Sequence, residues 1–214
     1  MILLGDVNVG KTSIILRYFE NKFSQNIENT IGTAFFTKYF PDEAGPSRNV
    51  THKMNVWDTC GQERFVSIAS VYYKDANVVI FVVDCKNPHS LKQAELYLGQ
   101  VRQHSVAKEF FILCVNKVDL LSRYERGSPI SLEVMKSCAF YDEIKKFEAD
   151  NHFKKVFWTS SKDDVNISEV FNFIDEAVET KKISLDVQSK NPNKMFIQSI
   201  TRDNNPLRQQ GGYC

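Results

Sequence analysis

The sequence predicts an α/β domain of three layers, in which a mainly parallel sheet of six strands lies between helices. Short apolar runs alternate with segments of helical periodicity through most of the 214 residues. Two of these runs, at 78–83 and 110–115, are uninterrupted, as is typical of strands buried on both faces. Because strand–helix–strand units form right-handed crossovers, the helices are expected on both faces of the sheet.

Each element follows from a local pattern, taken in chain order. The apolar run at 1–4 predicts a short first strand, and an amphipathic helix follows it at 13–19. Alternation predicts a strand at 50–57, which forms a hairpin with residues 33–40 across a turn-rich segment. The remaining predicted elements are strands at 78–83, 110–115 and 156–159 and helices at 90–103, 136–151 and 168–180.

Length and composition indicate one domain with a substantial core at residues 1–182, followed by a flexible tail at 183–214. In the tail the periodicity fades into lysine, asparagine, glutamine and serine with scattered prolines. The net charge of +1 gives no reason to expect nucleic-acid binding. No apolar run approaches the roughly 18 residues that a membrane-spanning helix needs.

The cysteines and the N-terminus bear on the compartment. The five cysteines are odd in number and never form a C-x-x-C pair, which favours reduced, mostly buried thiols over a zinc site. The N-terminus has neither the basic region nor the cleavage site of a secretory signal. We therefore expect a cytoplasmic protein.

The most informative motif is a glycine-framed loop directly after the first apolar run. It reads G-x-x-x-x-G-K-[ST] and comprises Gly5, Asp6, Val7, Asn8, Val9, Gly10, Lys11 and Thr12, with Ser13 following. The glycines let backbone N–H groups face one concavity in front of a helix N-terminus, which is a phosphate-binding arrangement. Lys11 adds a charge for the outer phosphates, and the Thr12 hydroxyl is a hard ligand for Mg²⁺. The alternative is a glycine-rich helix start that binds nothing.

A second group follows the second strand of the hairpin. A carboxylate in the position of Asp58 can hold Mg²⁺, and Gly61 lets a backbone N–H approach a terminal phosphate. Gln62 is then placed to orient a water for in-line attack, so Gln62 and Lys11 are the candidate catalytic residues. Asp-x-x-Gly alone is a turn in most proteins, and its distance from the phosphate loop is what favours a functional role.

Two later loops indicate recognition of guanine. They contain Asn116, Lys117 and Asp119 after one strand and Ser160, Ser161 and Lys162 after the last strand. The Asp119 carboxylate can accept hydrogen bonds from N1–H and the 2-amino group of guanine, whereas adenine offers neither donor. Unpaired polar groups of this kind discriminate by factors on the order of 10⁴. The last loop supplies backbone donors for O6 and an aliphatic stem against the ring, although Asn-Lys-x-Asp alone is a common surface loop.

These motifs, in this order, resemble the Ras superfamily of small GTPases, whose G domain is a P-loop NTPase fold, and most of all its Rab branch. The resemblance covers about residues 1–180 and includes Thr30-Ile31-Gly32, Phe35, the segment W-D-T-C-G-Q-E-R-F at 57–65, Ser67-Ile68 and Y-Y-K-D-A at 72–76. It implies a GTP/GDP switch that regulates vesicle traffic, uses Mg²⁺ and hydrolyses GTP to GDP and phosphate.

The resemblance also implies roles for residues outside these motifs. Thr30 would complete the coordination of Mg²⁺ by Thr12 and Asp58 when GTP is bound. Phe23 would stack on the guanine, and its alternative role is a core aromatic that closes the first helix. Three aromatics are similar to the surface that effectors of the family read, with burial in the core as the alternative: Phe35, Trp57 and Tyr72.

The partners implied by the resemblance are an exchange factor, a GTPase-activating protein and effectors. They would bind through switch I at about 25–36 and switch II at about 61–76. We expect a monomer that is cytoplasmic and can lie on the cytosolic face of endomembranes.

The phosphate loop departs from the family pattern at Val7 and Asn8, where relatives usually have small residues. Asn8 is tolerable because asparagine adopts left-handed backbone conformations. Val7 would lie near Gln62 and the attacking water, so we expect slow intrinsic hydrolysis with nucleotide affinity intact. This residue motivates one alternative function, a nucleotide-bound interaction module with little or no hydrolysis. A P-loop kinase of a small metabolite is disfavoured because the guanine and Gln62 motifs have no part in that chemistry.

Three further departures concern the chain's length and ends. The chain begins almost on the phosphate loop, so either the first strand is short or the sequence is incomplete at its N-terminus. The segment at about 120–134 is an insertion, either a neutral surface loop or a partner contact. The chain ends in Cys214 alone where relatives have two cysteines, so either a single prenyl group is attached, with reversible membrane binding, or the thiol is unmodified.

Overall fold

The computed structural model describes residues 1–27, 30, 32–41, 50–59, 76–104, 110–180 and 183. Within these residues the strands are β1 Ile2–Leu4, β2 Thr33–Pro41, β3 Val50–Thr59, β4 Val78–Asp84, β5 Phe110–Asn116 and β6 Lys155–Trp158. They form one sheet in the order β2-β3-β1-β4-β5-β6. The β2–β3 hairpin is antiparallel and the other neighbours are parallel. The predicted mainly parallel six-stranded sheet is confirmed.

The helices of the described residues are α1 Lys11–Glu20, α2 Pro88–His104, α3 Leu132–Lys136, α4 Tyr141–Asn151 and α5 Ile167–Glu179, with a short 3₁₀ helix at Val118–Leu120. The helices predicted at 13–19, 90–103 and 168–180 are confirmed as α1, α2 and α5. None of the helices in the described part of the chain is long and apolar enough to cross a membrane.

The helix predicted at 136–151 is confirmed over 141–151 as α4, but its predicted start is wrong, because a separate short helix, α3, ends at Lys136. Ser131 caps α3 by accepting a hydrogen bond from the N–H of Val134 at 3.3 Å. The Ser137 hydroxyl then donates to the Val134 carbonyl at 2.7 Å, which satisfies an acceptor that a continuing helix would have used. Phe140, with φ −122°, is buried in the core, and α4 begins at the next residue.

Alternate side chains of β4 divide the core between the two faces of the sheet. Phe81 and its same-face neighbours pack with residues of α2 and α4. Ile80 faces the opposite side and packs with residues of α1 and α5, including Ile14 and Phe171. Burying each such side chain contributes about 1.5–3 kcal/mol. Helices therefore cover both faces, as predicted.

The central strand β1 has three residues and pairs with β3 on one side and β4 on the other. All three side chains are buried. Thr59 at the end of β3 donates through its hydroxyl to the Leu3 carbonyl at 2.6 Å. The carboxyl ends of β1, β3, β4 and β5 lie at one edge of the sheet, and this edge carries the site motifs.

The cysteines within the described residues agree with the expectation of buried, reduced thiols. Cys85, Cys114 and Cys138 are free and buried. Burial raises the pKa of the Cys85 and Cys114 thiols well above the usual range. Cys60 and Cys214 lie outside the described residues.

Candidate functional site

A cavity of about 690 Å³ lies at the carboxyl edge of the sheet. It gathers residues from the loop after β1, from the segment after α1 and from the loops after β5 and β6. The predicted site residues that line it are Val7, Asn8, Gly10, Lys11, Thr12, Ser13, Phe23, Thr30, Asn116, Lys117, Asp119, Ser161 and Lys162. Other lining residues were not singled out individually from the sequence: Ser24, Gln25, Asn26, Ile27, Thr59 and Leu120.

The remaining predicted residues fall into two groups. Those that the structure describes but that do not line the cavity are Gly5, Asp6, Val9, Asp58 and Ser160, together with the aromatics Phe35 and Trp57. Those outside the described residues are Gly61, Gln62, Tyr72 and Cys214. Switch II at 61–76 is outside them too, apart from Ala76, as are Glu28, Asn29 and Ile31 of switch I.

Two glycines of the phosphate loop are required by close approach of neighbouring groups. A Cβ on Gly5 would lie 2.2 Å from the carbonyl oxygen of Val82. A Cβ on Gly10 would lie 2.4 Å from Nδ2 of Asn116, and Gly10 has φ +98°, which disfavours any other residue. Asn8 adopts the left-handed conformation with φ 61°, as its residue type allows. The loop therefore packs directly against β4 and the end of β5.

Lys11 is the first residue of α1 and is 5% exposed. Its Nζ donates to the carbonyl oxygens of Gly5 at 2.9 Å and Asp6 at 2.7 Å. The Lys11 side chain thus extends from the start of α1 to the beginning of the phosphate loop. Its ammonium adds a positive charge to the partial positive charge of the helix N-terminus. An anion in this loop would meet a buried cation whose position is already fixed.

Three hard oxygen ligands converge beside α1. The Thr12 hydroxyl donates to Oδ2 of Asp58 at 2.7 Å, and Thr30 Oγ1 lies 2.8 Å from Thr12 Oγ1. Asp58 is fully buried, and its Oδ1 has no hydrogen-bond partner among the described residues. Burial raises the pKa of Asp58, against the opposing effects of the Thr12 hydrogen bond and the Lys11 charge. A buried, incompletely paired carboxylate with two hydroxyls beside it fits the ligand preferences of Mg²⁺.

Asn116, the last residue of β5, connects the phosphate loop to the loop after β6. Its Nδ2 donates to the Val9 carbonyl at 3.0 Å. Its Oδ1 accepts from the hydroxyls of Thr159 at 3.1 Å and Ser161 at 3.4 Å. With 2% of its surface exposed, this side chain fixes the spacing between the two ends of the cavity.

The far end of the cavity is built on the loop after β5. Lys117 has a left-handed backbone with φ 65°, and its Nζ lies 2.8 Å from Oδ2 of Asp84 at the end of β4. Asp119 Oδ1 accepts a hydrogen bond of 2.5 Å from the Ser160 hydroxyl, and its side chain is 7% exposed. Lys162 Nζ is 4.0 Å from Asp119 Oδ2. The Asp119 carboxylate is therefore held in place where it meets the cavity.

Arg17 of α1 contributes to this end of the site and was missed from the sequence. Its Nε donates to the Ser161 carbonyl at 2.8 Å and its Nη2 to the Lys162 carbonyl at 3.1 Å. Its Nη1 donates to Oδ1 of Asn21 at 2.9 Å. In the sequence, an arginine in the last turn of a helix suggests only a favourable interaction with the helix dipole.

The aromatic candidates have different surroundings. Phe23 is half-buried at the cavity and is not part of either core cluster of the described residues. Phe35 is 47% exposed and packs on half-buried Trp57, with ring centroids 4.6 Å apart. The β2–β3 hairpin therefore presents Phe35 to solvent, whereas Trp57 also packs against the core cluster that contains Phe81.

Comparison with known proteins identifies the family of the chain. The model of the Ras family matches residues 1–180. The chain belongs to the Ras family. Among its relatives, the GTP-binding protein ypt5 of Schizosaccharomyces pombe is 32% identical, over 100% of this chain and 92% of that protein. The Ras-related protein Rab-22A of Homo sapiens is 34% identical, over 79% of this chain and 77% of the relative. The Ras-related protein Rab-31 of Rattus norvegicus is 32% identical, over 82% and 80%.

These likenesses identify a Rab-like small GTPase, a GTP hydrolase of the class that acts in vesicle traffic. They confirm the family and the branch that the motifs indicated. The alternatives of a non-hydrolysing interaction module and of a metabolite kinase receive no support from them.

Proposed function

We propose that this Rab-like chain is a GTP/GDP switch that binds guanine nucleotide with Mg²⁺, hydrolyses GTP slowly and regulates vesicle traffic. The observation that supports it best is one cavity lined by the phosphate loop, by Thr12 and Thr30, and by Asp119, with Asp58 hydrogen-bonded to Thr12. No second function is favoured by an observation in the described residues.

The nucleotide spans the cavity from the phosphate loop to the loops after β5 and β6. Backbone N–H groups of residues 5–13 and the Lys11 ammonium bind the phosphates. Asp119 accepts from guanine, the backbone at 160–162 donates to O6, and Phe23 packs against the base. Asn116 connects the phosphate end to the base end through its hydrogen bonds with the Val9 carbonyl and the Ser161 hydroxyl, and Lys117 is fixed by its ion pair with Asp84.

Thr12, Thr30 and Asp58 would hold Mg²⁺ in the GTP-bound state. The metal, when bound, would neutralise charge on the β- and γ-phosphates. The orphaned Oδ1 of buried Asp58 supports this assignment, since ionic ligation would compensate for its burial.

Hydrolysis transfers the γ-phosphoryl group to water. The water oxygen bonds to the γ-phosphorus while the bond to the β–γ bridging oxygen breaks, and GDP and phosphate leave. Gln62 orients the water, and Gly61 supplies a backbone donor to the terminal phosphate. Lys11 stabilises the charge that develops on the phosphate oxygens. Half-buried Val7 lines the phosphate end of the cavity, and its bulk slows the reaction by crowding the water.

The switch would act because Thr30 ligates the metal only while the γ-phosphate is present. An exchange factor, a GTPase-activating protein and effectors read the change through switch I at 25–36 and switch II at 61–76. The exposed Phe35 of switch I, which packs on half-buried Trp57, supports an effector surface there. The G domain at 1–182 acts as a monomer, and a single lipid on Cys214 of the 183–214 tail attaches it reversibly to the cytosolic face of endomembranes.

Competition binding tests this function directly. Purified full-length protein is loaded with a fluorescent GDP in Mg²⁺ and challenged with unlabelled GDP, GTP or ATP. We expect GDP and GTP to displace the probe at concentrations about 10³-fold or more below that of ATP, because adenine leaves Asp119 unpaired. Displacement by ATP and GTP at similar concentrations would refute guanine recognition. Lys11→Ala serves as the binding-deficient control.

A further inference from the structure

We propose that the insertion at 120–134 supports the loop between β6 and α5, residues 159–166, which we call the base-binding loop. Tyr124 and Arg126 of the insertion are positioning residues for Asp119, and they act through Asp163 and Ser160 of that loop. This inference rests on the proposed function, because it assigns a role in guanine selectivity to residues that do not touch the nucleotide. It gives the insertion a role inside its own domain, in place of a neutral loop or a partner contact.

The insertion is anchored to the domain. Leu121 and Val134, near its two ends, are buried in the core cluster beside α2 and α4. Tyr124 and Ile130, between them, pack against the same cluster. The Tyr124 N–H also donates to the Leu121 carbonyl at 3.1 Å. The middle of the insertion is therefore fixed relative to the sheet and can support a neighbouring loop.

The anchored part of the insertion contacts the base-binding loop at Asp163. Nε of Arg126 lies 3.4 Å from Oδ1 of Asp163, whose side chain is 9% exposed. The Tyr124 hydroxyl is buried beside the same carboxylate. Its desolvation and the negative charge of Asp163 raise the pKa of Tyr124 to about 12, so the hydroxyl keeps its proton at neutral pH. Arg126 thus pairs with this carboxylate, and the buried Tyr124 hydroxyl, which has no hydrogen-bond partner among the described residues, lies close enough to be affected by its charge.

Asp163 is connected to Asp119 through a single hydroxyl. The Asp163 N–H donates to Ser160 Oγ at 3.1 Å, and Ser160 Oγ donates to Asp119 Oδ1 at 2.5 Å. A serine hydroxyl has one proton, so Ser160 accepts the hydrogen bond from the Asp163 N–H and uses its own O–H to donate a hydrogen bond to Asp119. A displacement of Asp163 would therefore misalign the donor that orients the carboxylate against guanine.

Within the same insertion, Arg123 provides a matched comparison. Arg123 is exposed like Arg126. Its Nη1 lies 3.8 Å from Oε2 of Glu133, so both partners of this ion pair belong to the insertion. Removing Arg123 should leave the base-binding loop unchanged. Removing Arg126 should not, because its partner belongs to that loop.

The experiment compares dissociation of GDP and of inosine diphosphate from full-length protein with Mg²⁺. Inosine lacks the 2-amino group, so the ratio of the two dissociation rates measures how well Asp119 is placed. For the double variant Tyr124→Phe, Arg126→Ala we expect GDP to dissociate about fivefold to tenfold faster. The dissociation rate of inosine diphosphate should change by about twofold or less, so the two dissociation rates become more similar and their ratio moves closer to one. Arg123→Ala should match the wild type for both nucleotides.

Each other outcome is decisive. If the dissociation of both nucleotides is accelerated equally, the variant has loosened the whole nucleotide site, and the positioning role is overturned. Unchanged dissociation rates, or an equal effect of Arg123→Ala, would overturn it too. If the double variant does not fold, Arg126→Ala alone, which removes the ion pair with Asp163 and keeps the Tyr124 packing, must bring the ratio closer to one. Wild-type protein that fails to bind GDP, or does not distinguish it from ADP, would overturn the proposed function and this inference with it. Normal wild-type binding with an unchanged ratio in the variant would overturn this inference alone.

Discussion

Arg17→Ala is expected to speed nucleotide release from a distance, because Arg17 connects the phosphate-binding helix α1 to the base-binding loop. Its guanidinium donates to two carbonyls of that loop, at Ser161 and Lys162. It also donates to Asn21 at the end of α1. The substitution leaves both loop carbonyls without their donor and removes the tie that fixes the loop's backbone orientation.

The size of the effect follows from the geometry. A hydrogen bond with a charged donor contributes about 1.5–3 kcal/mol, but the bond to Lys162 is exposed and water can replace it. The part-buried bond to Ser161 therefore accounts for most of the loss. We expect about 1–2 kcal/mol, which corresponds to roughly 5-fold to 30-fold faster GDP dissociation if the association rate is unchanged.

The assay is stopped-flow release of fluorescent GDP, with thermal melting measured in parallel. Arg102→Ala is the matched control, since Arg102 also donates from a helix to a backbone carbonyl and an amide oxygen, both of Asn151. Arg102 is not among the residues that line the cavity. We expect both variants to lose some stability and Arg17→Ala alone to release GDP faster. Equal release rates in the two variants would refute the role assigned to Arg17.

Three further predictions concern the phosphate end. Gly10→Ala should abolish tight GDP binding in calorimetry, since its Cβ would lie 2.4 Å from Asn116 Nδ2; binding within about tenfold of wild type would contradict the geometry. Burial raises the pKa of Asp58 in the folded protein above its value of 3.8 in the unfolded chain. The contribution of Asp58 to the free energy of unfolding therefore falls as the pH rises from 3.8 through the folded pKa. Asp58→Asn should therefore melt at or above the wild-type temperature in EDTA at pH 7 yet gain nothing from Mg²⁺ with GDP, and a lower melting temperature in EDTA would contradict this. Val7→Ser should raise the single-turnover hydrolysis rate about tenfold or more without changing GDP affinity. An unchanged rate would show that Val7 does not slow hydrolysis.

The parts of the site that the sequence predicted are those formed by residues close together in the chain. The phosphate loop is one continuous motif, and its residues lie between β1 and the first turn of α1, while their binding roles stay predictions. The alternation of apolar runs was sufficient for the sheet, because buried parallel strands such as β4 and β5 are apolar at nearly every position.

What the sequence did not predict depends on contacts between distant residues. Arg17 and Ser161 are 144 positions apart, and neither residue type suggests the other as a partner. The link from the insertion to Asp119 passes through the backbone N–H of Asp163, which leaves no trace in a side-chain pattern. The break between α3 and α4 depends on the Ser137 hydroxyl, whereas periodicity alone continued the helix.

The measurement that tests the central claim most directly is single-turnover hydrolysis of GTP preloaded on the purified chain with Mg²⁺. We predict conversion to GDP over roughly minutes to hours, with the reaction lost in Gln62→Leu while GTP stays bound. GTP that remains intact for about a day on the wild-type protein, or hydrolysis unaffected by Gln62→Leu, would contradict the account of this chain as a slow intrinsic GTPase.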